Sequence, residues 1–182
     1  MGAPVLSTNE NYTWKEYLSW GEEYRCELIN GVVYALASPN QKHQRVLRRL
    51  STIIGNYLEG KDCELFISPS DVKLDEKTVV QPDLFIVCDE SKLDGQFTIG
   101  APDLIIEILS PDNFRIDLLL KYNKYLEAKV KEYWIVDPER EIITVLTLNV
   151  NKYDYHIFGE TDKVKSDLLK DCIIELEKVF VQ

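Results

Sequence analysis

The stretch GAPDLIIEILSP, residues 100–111, constrains this chain more than any other. Leu104, Ile105, Ile106, Ile108 and Leu109 make a short apolar run of the kind that forms a buried strand. Glu107 stands in the middle of it. A carboxylate in an apolar strand is costly unless something pairs with it. Residues two apart in a strand share a face, so Asp103, Ile105, Glu107 and Leu109 point one way and Leu104, Ile106 and Ile108 the other. The fold has to bury this strand and also supply Glu107 with a partner.

A second acid poses the same problem. Asp83 lies in VVQPDLFIVC, residues 79–88, which reads as another apolar strand. Two neighbouring strands that each carry one acid are hard to explain by packing, whereas a shared divalent cation satisfies both. Oxygen ligands completed by water suit Mg²⁺ or Mn²⁺. Such a site activates water and stabilises charge on a phosphoryl group. The helix expected over 115–128 begins near the carboxyl end of the Glu107 strand. Its Asp117 and Lys121 are four apart and share a face, and Lys121 can reach the acids to orient water or neutralise phosphate.

Each of these residues also has a plainer reading. Glu107 pairs with an arginine at a strand edge, Asp83 after Pro82 is a turn residue that starts a strand, and Lys121 is a solvated lysine paired with Asp117. Asp103, also preceded by proline, is more simply a strand-start residue. The joint occurrence carries more weight than any one member.

A chain of 182 residues, 45% hydrophobic and 29% charged, suits a single globular domain over 1–182. No run approaches the roughly 18 apolar residues of a membrane helix, and the N-terminus lacks the pattern of a signal peptide. Cys26, Cys63, Cys88 and Cys172 show no metal-ligand spacing; three of them read as small core residues, and a reducing cytoplasm is the simplest home. The net charge of −10 argues against a protein that coats nucleic acid non-specifically, but leaves room for a local basic strip. The dense basic run is KHQRVLRR. Lys42, Arg45, Arg48 and Arg49 there form either a solvated helix face or a contact to a phosphate backbone. His43 shares the face of Val46, Leu47 and Leu50 and reads as a core cap rather than a catalytic group.

Thr13 and Glu16 resemble a capping box for a short helix in TWKEYLSWGEE, and Asn30-Gly31 marks a hairpin within residues 24–38. Residues 38–61 carry the best helical periodicity. Strands are expected at 63–68, 71–74, 79–88, 103–110 and 132–137, with a further pair in EIITVLTL and YDYHIF and a short helix near 175–181. The expected class is α/β, a central mixed sheet flanked by helices, with an N-terminal helix and a β-hairpin.

The segments QPDLFIVC, GAPDLIIEILSP, DLLLKYNKY and KEYWIVDP together resemble the Uma-two family of putative restriction endonucleases, within the PD-(D/E)XK nuclease superfamily. The order helix, three strands, helix, strand fits the superfamily core. The resemblance implies that Asp83 and Glu107 are metal ligands, with the Ile108 carbonyl a third. It implies that Leu109 occupies the usual lysine position and that Lys121 replaces that lysine from the following helix. It makes Glu27 a further candidate acid and pairs His43 with Gln44 at the start of the long helix. The usual glycine before EYW is Lys129 here.

The expectation is therefore a cytoplasmic, Mg²⁺- or Mn²⁺-dependent endonuclease that hydrolyses DNA phosphodiester bonds. Asp83, Glu107, Lys121 and Glu27 carry the chemistry. It would work as a homodimer, off the membrane and without an organic cofactor. The alternatives are a module that keeps the fold and binds nucleic acid or a partner without cleavage, and a hydrolase of some other phosphoester.

Overall fold

Two mixed sheets meet at the segment Gln81–Asp83. The computed structural model describes residues 11–20, 25–110, 117–159 and 161–181, without the side chains of 117 and 118. The end of TWKEYLSWGEE, the start of the helix expected at 115 and any pairing of Asp117 with Lys121 lie outside these residues.

The larger sheet has the order β11-β10-β9-β8-β6-β3. Its strands are β3 (Glu64–Ile67), β6 (Leu84–Val87), β8 (Leu104–Ile108), β9 (Glu132–Asp137), β10 (Ile142–Asn149) and β11 (Lys152–Gly159). Only β8 and β9 run parallel within it, joined through helix α3 (Tyr122–Glu127), as a parallel pair requires a crossover. The smaller sheet has the order β2-β1-β5-β4-β7, built from β1 (Cys26–Ile29), β2 (Val32–Ala35), β4 (Val72–Asp75), β5 (Thr78–Val80) and β7 (Thr98–Ile99). A two-stranded ladder, β12 (Lys163–Val164) with β13 (Ile174–Glu175), leads into α4 (Leu176–Phe180).

The alternation read in the Glu107 strand is present. Leu104, Ile106 and Ile108 pack into one core cluster with Val46, Leu47, Leu50 and Ile54 of helix α2 (Gln41–Leu58). Ile105 faces the other cluster, with Tyr125 of α3 and Tyr133. The Asn30-Gly31 hairpin joins β1 to β2, with φ of 53° and 79°, the left-handed pair that a tight two-residue hairpin needs. Helix α1 (Trp14–Tyr17) is capped as expected, since the Glu16 carboxylate accepts from the Thr13 backbone N–H at 2.7 Å. Lys129 has φ of 64° just after α3. A lysine there carries a left-handed cost of about 1–2 kcal/mol.

Four expectations need correction. The run 79–88 is two strands, not one: β5 belongs to the smaller sheet and β6 to the larger. Pro82 has no N–H for a ladder, so the chain changes sheets there and Asp83 precedes β6 rather than lying inside a strand. The short strands β7, β12 and β13 escape a reading by alternation because two residues carry no period. The second helix opens with a π-helical turn, Asp117–Lys121, ahead of α3. Finally, Cys63 and Cys88 are not free core residues but a disulfide joining the ends of the β3–β6 pair, whereas Cys26 and Cys172 are free and buried.

Disulfides persist in oxidising compartments, so these cysteines lend no support to a cytoplasmic home. Among the described residues, no helix is long and apolar enough to cross a membrane. Replacing Cys63 and Cys88 together by serine is expected to destabilise the oxidised protein by about 3 kcal/mol, through loss of the cross-link over a separation of 25 residues. Urea unfolding with and without reductant checks this, and superimposable curves for variant and oxidised wild type would contradict it.

Candidate active site

The register of β6 against β8 pairs Leu84 with Ile106 and Phe85 with Ile105. Extended by one step, it sets Asp83 across from Glu107. The two acids are tied through the backbone as well, because the Ile108 N–H donates to Asp83 Oδ2 at 2.8 Å. Asp83, Glu107 and Ile108 all line one cavity of about 380 Å³, together with His43, Gln81 and Lys121.

Lys121 is the centre of the arrangement. It is only 2% exposed, and its Nζ lies 2.9 Å from Glu27 Oε1 and 3.0 Å from Glu107 Oε1. Glu27 comes from β1 of the smaller sheet and Glu107 from β8 of the larger, so one ammonium joins the two sheets. Glu27 Oε1 also accepts the backbone N–H of Gln81 at 2.8 Å. The π-helical turn that ends at Lys121 is of a kind that recurs at functional sites.

Three supporting groups were not read correctly, or not read at all, from the sequence. The Tyr125 hydroxyl donates to Glu107 Oε1 at 2.6 Å. Burial, and then the Glu107 and Glu27 carboxylates, push its pKa well above that of an ordinary phenol, so it remains an O–H donor. The spacing that could have found it is Lys121 to Tyr125, one helical turn on the same face. His43, expected to cap the core, is indeed buried, but its Nε2 lies 3.1 Å from Asp83 Oδ2. Asn40 fixes the first turn of α2 that presents it, accepting from the His43 backbone N–H at 2.9 Å. Gln81, read only as part of a strand, holds Glu27 from the sheet junction.

Asp103 shows what a structural acid in the same sequence context does. Lys131 Nζ reaches its Oδ1 at 2.6 Å, and the Cys88 N–H donates to its Oδ2 at 2.8 Å. Burial pushes its pKa up, but these two bonds outweigh that and hold it below the ordinary carboxylate range. It plays no part in the cavity, in keeping with its reading as a strand-start residue.

The basic run divides. Arg45 and Arg48 are exposed and flank a shallow surface recess with Pro39, Gln41 and Gln44. Lys42 pairs with Glu139 at 3.0 Å. Arg49 is committed to the C-terminus, donating to the Val179 carbonyl at 3.0 Å and to that of Val181. Its chemistry is that of a cap on α4, where a guanidinium meets unsatisfied carbonyls.

Comparison with known proteins agrees with this architecture. An uncharacterized protein of Synechocystis sp. (strain ATCC 27184 / PCC 6803 / Kazusa) is 34% identical over 128 residues, which are 67% of this chain and 66% of that protein. The match therefore spans just under two thirds of the relative's own length. A crystal structure of a putative nuclease belonging to DUF820 from Anabaena variabilis ATCC 29413 superposes with a TM-score of 0.78, covering 92% of this chain and 97% of the other at 20% identity. That likeness is one of fold. The profile of the Uma2 family, described as "Putative restriction endonuclease", matches residues 14–177, and the chain belongs to that family.

Proposed function

We propose that this chain is a nuclease-like domain of the PD-(D/E)XK type that hydrolyses DNA phosphodiester bonds with the aid of Mg²⁺ or Mn²⁺. The observation that carries the reading is the buried Lys121 ammonium, held by Glu27 and Glu107 at the wall of the cavity that Asp83 also lines. A lysine used only for solubility has no reason to be buried there.

The residues fit a hard dication. Among the described residues, no three His, Cys, Asp or Glu side chains form a ready-made metal cage. Mg²⁺ does not require one, since it keeps several waters and takes one or two carboxylates plus substrate phosphates. Asp83 and Glu107, with the Ile108 carbonyl, would hold it. Three carboxylates against one ammonium also leave the site with an excess of negative charge that a dication offsets. Bound there, the metal would supply activated water and charge stabilisation at phosphorus.

The chain's own groups do the rest. His43 and the Ile108 N–H both engage Asp83 Oδ2, which fixes that carboxylate's rotation. Tyr125 and Lys121 fix Glu107 in the same way. Lys121 places a positive charge where the attacking water and the phosphate would meet, replacing from a helix the lysine absent at Leu109. A homodimer, with one site for each strand, is part of the proposal.

The test is a plasmid cleavage assay with Mg²⁺, Mn²⁺ or chelator, alongside RNA and small phosphoesters. Metal-dependent nicking or linearisation of DNA is the expected result. DNA binding without cleavage at any metal concentration would replace this reading with that of a non-catalytic module.

Binding should draw on Arg45 and Arg48, the exposed members of the basic run. Reversing both charges is expected to weaken DNA binding and to lower the slope of log Kd against log salt by about two, one per lost phosphate contact. Anisotropy titrations across a salt series measure this, and an unchanged slope would assign the backbone contact to another surface.

A further inference from the structure

A second cavity, of about 500 Å³, lies beside the acidic one and takes no part in the chemistry above. The rings of Tyr17, Trp20 and Phe97 line it. It adjoins the site, since Arg25, Pro69 and Gln81 line both cavities. Gln81 makes the junction: its backbone N–H holds Glu27 at 2.8 Å, and its side-chain amide donates to Asp71 Oδ1 at 2.8 Å on the far side.

The rings are held in place before any ligand arrives. Trp14 meets Phe97 edge to face at 4.9 Å between centroids, and Tyr17 meets Trp20 at 5.5 Å. The Tyr17 hydroxyl donates to Asp71 Oδ1 at 2.8 Å. Trp14, Tyr17 and Trp20 all pack against core residues of β1, β2 and β5. Trp20 and Phe97 nonetheless remain half-buried, and they edge the cavity from two segments distant in sequence. Arg25 lies on the shared wall, exposed and without an ion pair among the described residues.

We propose that this aromatic cavity receives an unstacked nucleobase of the substrate strand, while the adjoining phosphate occupies the acidic cavity and Arg25 meets the backbone between them. The inference rests on the nuclease reading and adds to it the form of the substrate. Aromatic rings stack on any base, because every base has a π-face. A base inside a duplex cannot reach such a cavity, so the nucleotide is either single-stranded or turned out of the helix. The preferred substrate is therefore single-stranded or locally unpaired.

The test uses a short fluorescein-labelled single strand, the same strand with abasic positions, and the matching duplex, titrated with Ca²⁺ to offset the site's negative charge and with the strands checked for intactness afterwards, so that binding is read apart from cleavage. Phe97→Ala and Trp20→Ala are each expected to weaken binding of the base-bearing strand about tenfold, with Phe97→Tyr close to wild type. The abasic strand should bind equally to all four proteins. In Mg²⁺, the alanine variants should raise KM for the single strand and leave kcat near wild type. Thermal melts, and the Phe97→Tyr rescue, separate this result from misfolding. Wild-type affinity in folded Phe97→Ala, or an equal loss on the abasic strand, would overturn the proposal. Base-dependent binding with no cleavage on any substrate would uphold this subsite and overturn the nuclease reading instead.

Discussion

Asp83→Asn and Glu107→Gln are each expected to reduce metal-dependent cleavage by about 10³-fold or more and to leave the fold intact. The magnitude follows from the several kcal/mol that a bound dication supplies to a phosphoryl transition state, at 1.36 kcal/mol per factor of about ten in rate. Folding survives because the amides keep the acceptors that the neighbours use. An asparagine at position 83 would still offer an oxygen to the Ile108 N–H and His43, which now engage Asp83 Oδ2. A glutamine at position 107 would still accept from Tyr125 and Lys121. What is lost is the negative charge that a hard cation requires. Asp103→Asn is the comparison: a buried acid outside the cavity, it should alter stability through Lys131 and not cleavage. Plasmid assays with calorimetric metal titrations check the pattern. Full cleavage by both Asp83→Asn and Glu107→Gln would remove the carboxylates from the chemistry.

Much of this site could be read from the chain because buried charge is so costly. Glu107 stands out against five apolar neighbours, and the period of two assigns it to the face of Ile105, where Tyr125 and Lys121 are found. Asp83 stands out for the same reason, although the period misled there: VVQPDLFIVC looks continuous, but the chain changes sheets at Pro82 and Asp83 sits at a bend directly ahead of β6, the position that its plainer reading gave it. Glu27 is harder to read. In CELI it resembles any strand acid, and only the approach of the smaller sheet to Lys121 makes it a partner. Tyr125 and His43 fall on apolar helical faces, where a ring fills core space and its polar tip needs a partner that the helix pattern does not name. Periodicity reports the face and not the neighbour across it. The disulfide lies beyond local reading as well, because Cys63 and Cys88 become partners only through the antiparallel pairing of β3 with β6.

Lys121→Met is expected to act on rate and on stability together. The ammonium sits between Glu27 and Glu107 with all three side chains buried. Methionine matches the stem but leaves two carboxylates facing each other in a site almost closed to water. Removing one member of a buried ion pair costs about 3–5 kcal/mol, because the remaining charge is left uncompensated. A fall in activity alone would therefore be ambiguous. Adding Glu27→Gln to Lys121→Met removes one of the stranded charges and should recover a large part of the stability. It should not recover cleavage, since no ammonium remains to orient the water. Lys124→Met, one turn on, loses ion pairs only to the exposed carboxylates of Glu127 and Asp75 among the described residues and should keep both properties near wild type. Urea unfolding with single-turnover cleavage separates the two effects. A double variant that regains stability and cuts at the wild-type rate would make Lys121 a strut between the sheets. One that regains stability and stays slow would place its charge in the reaction.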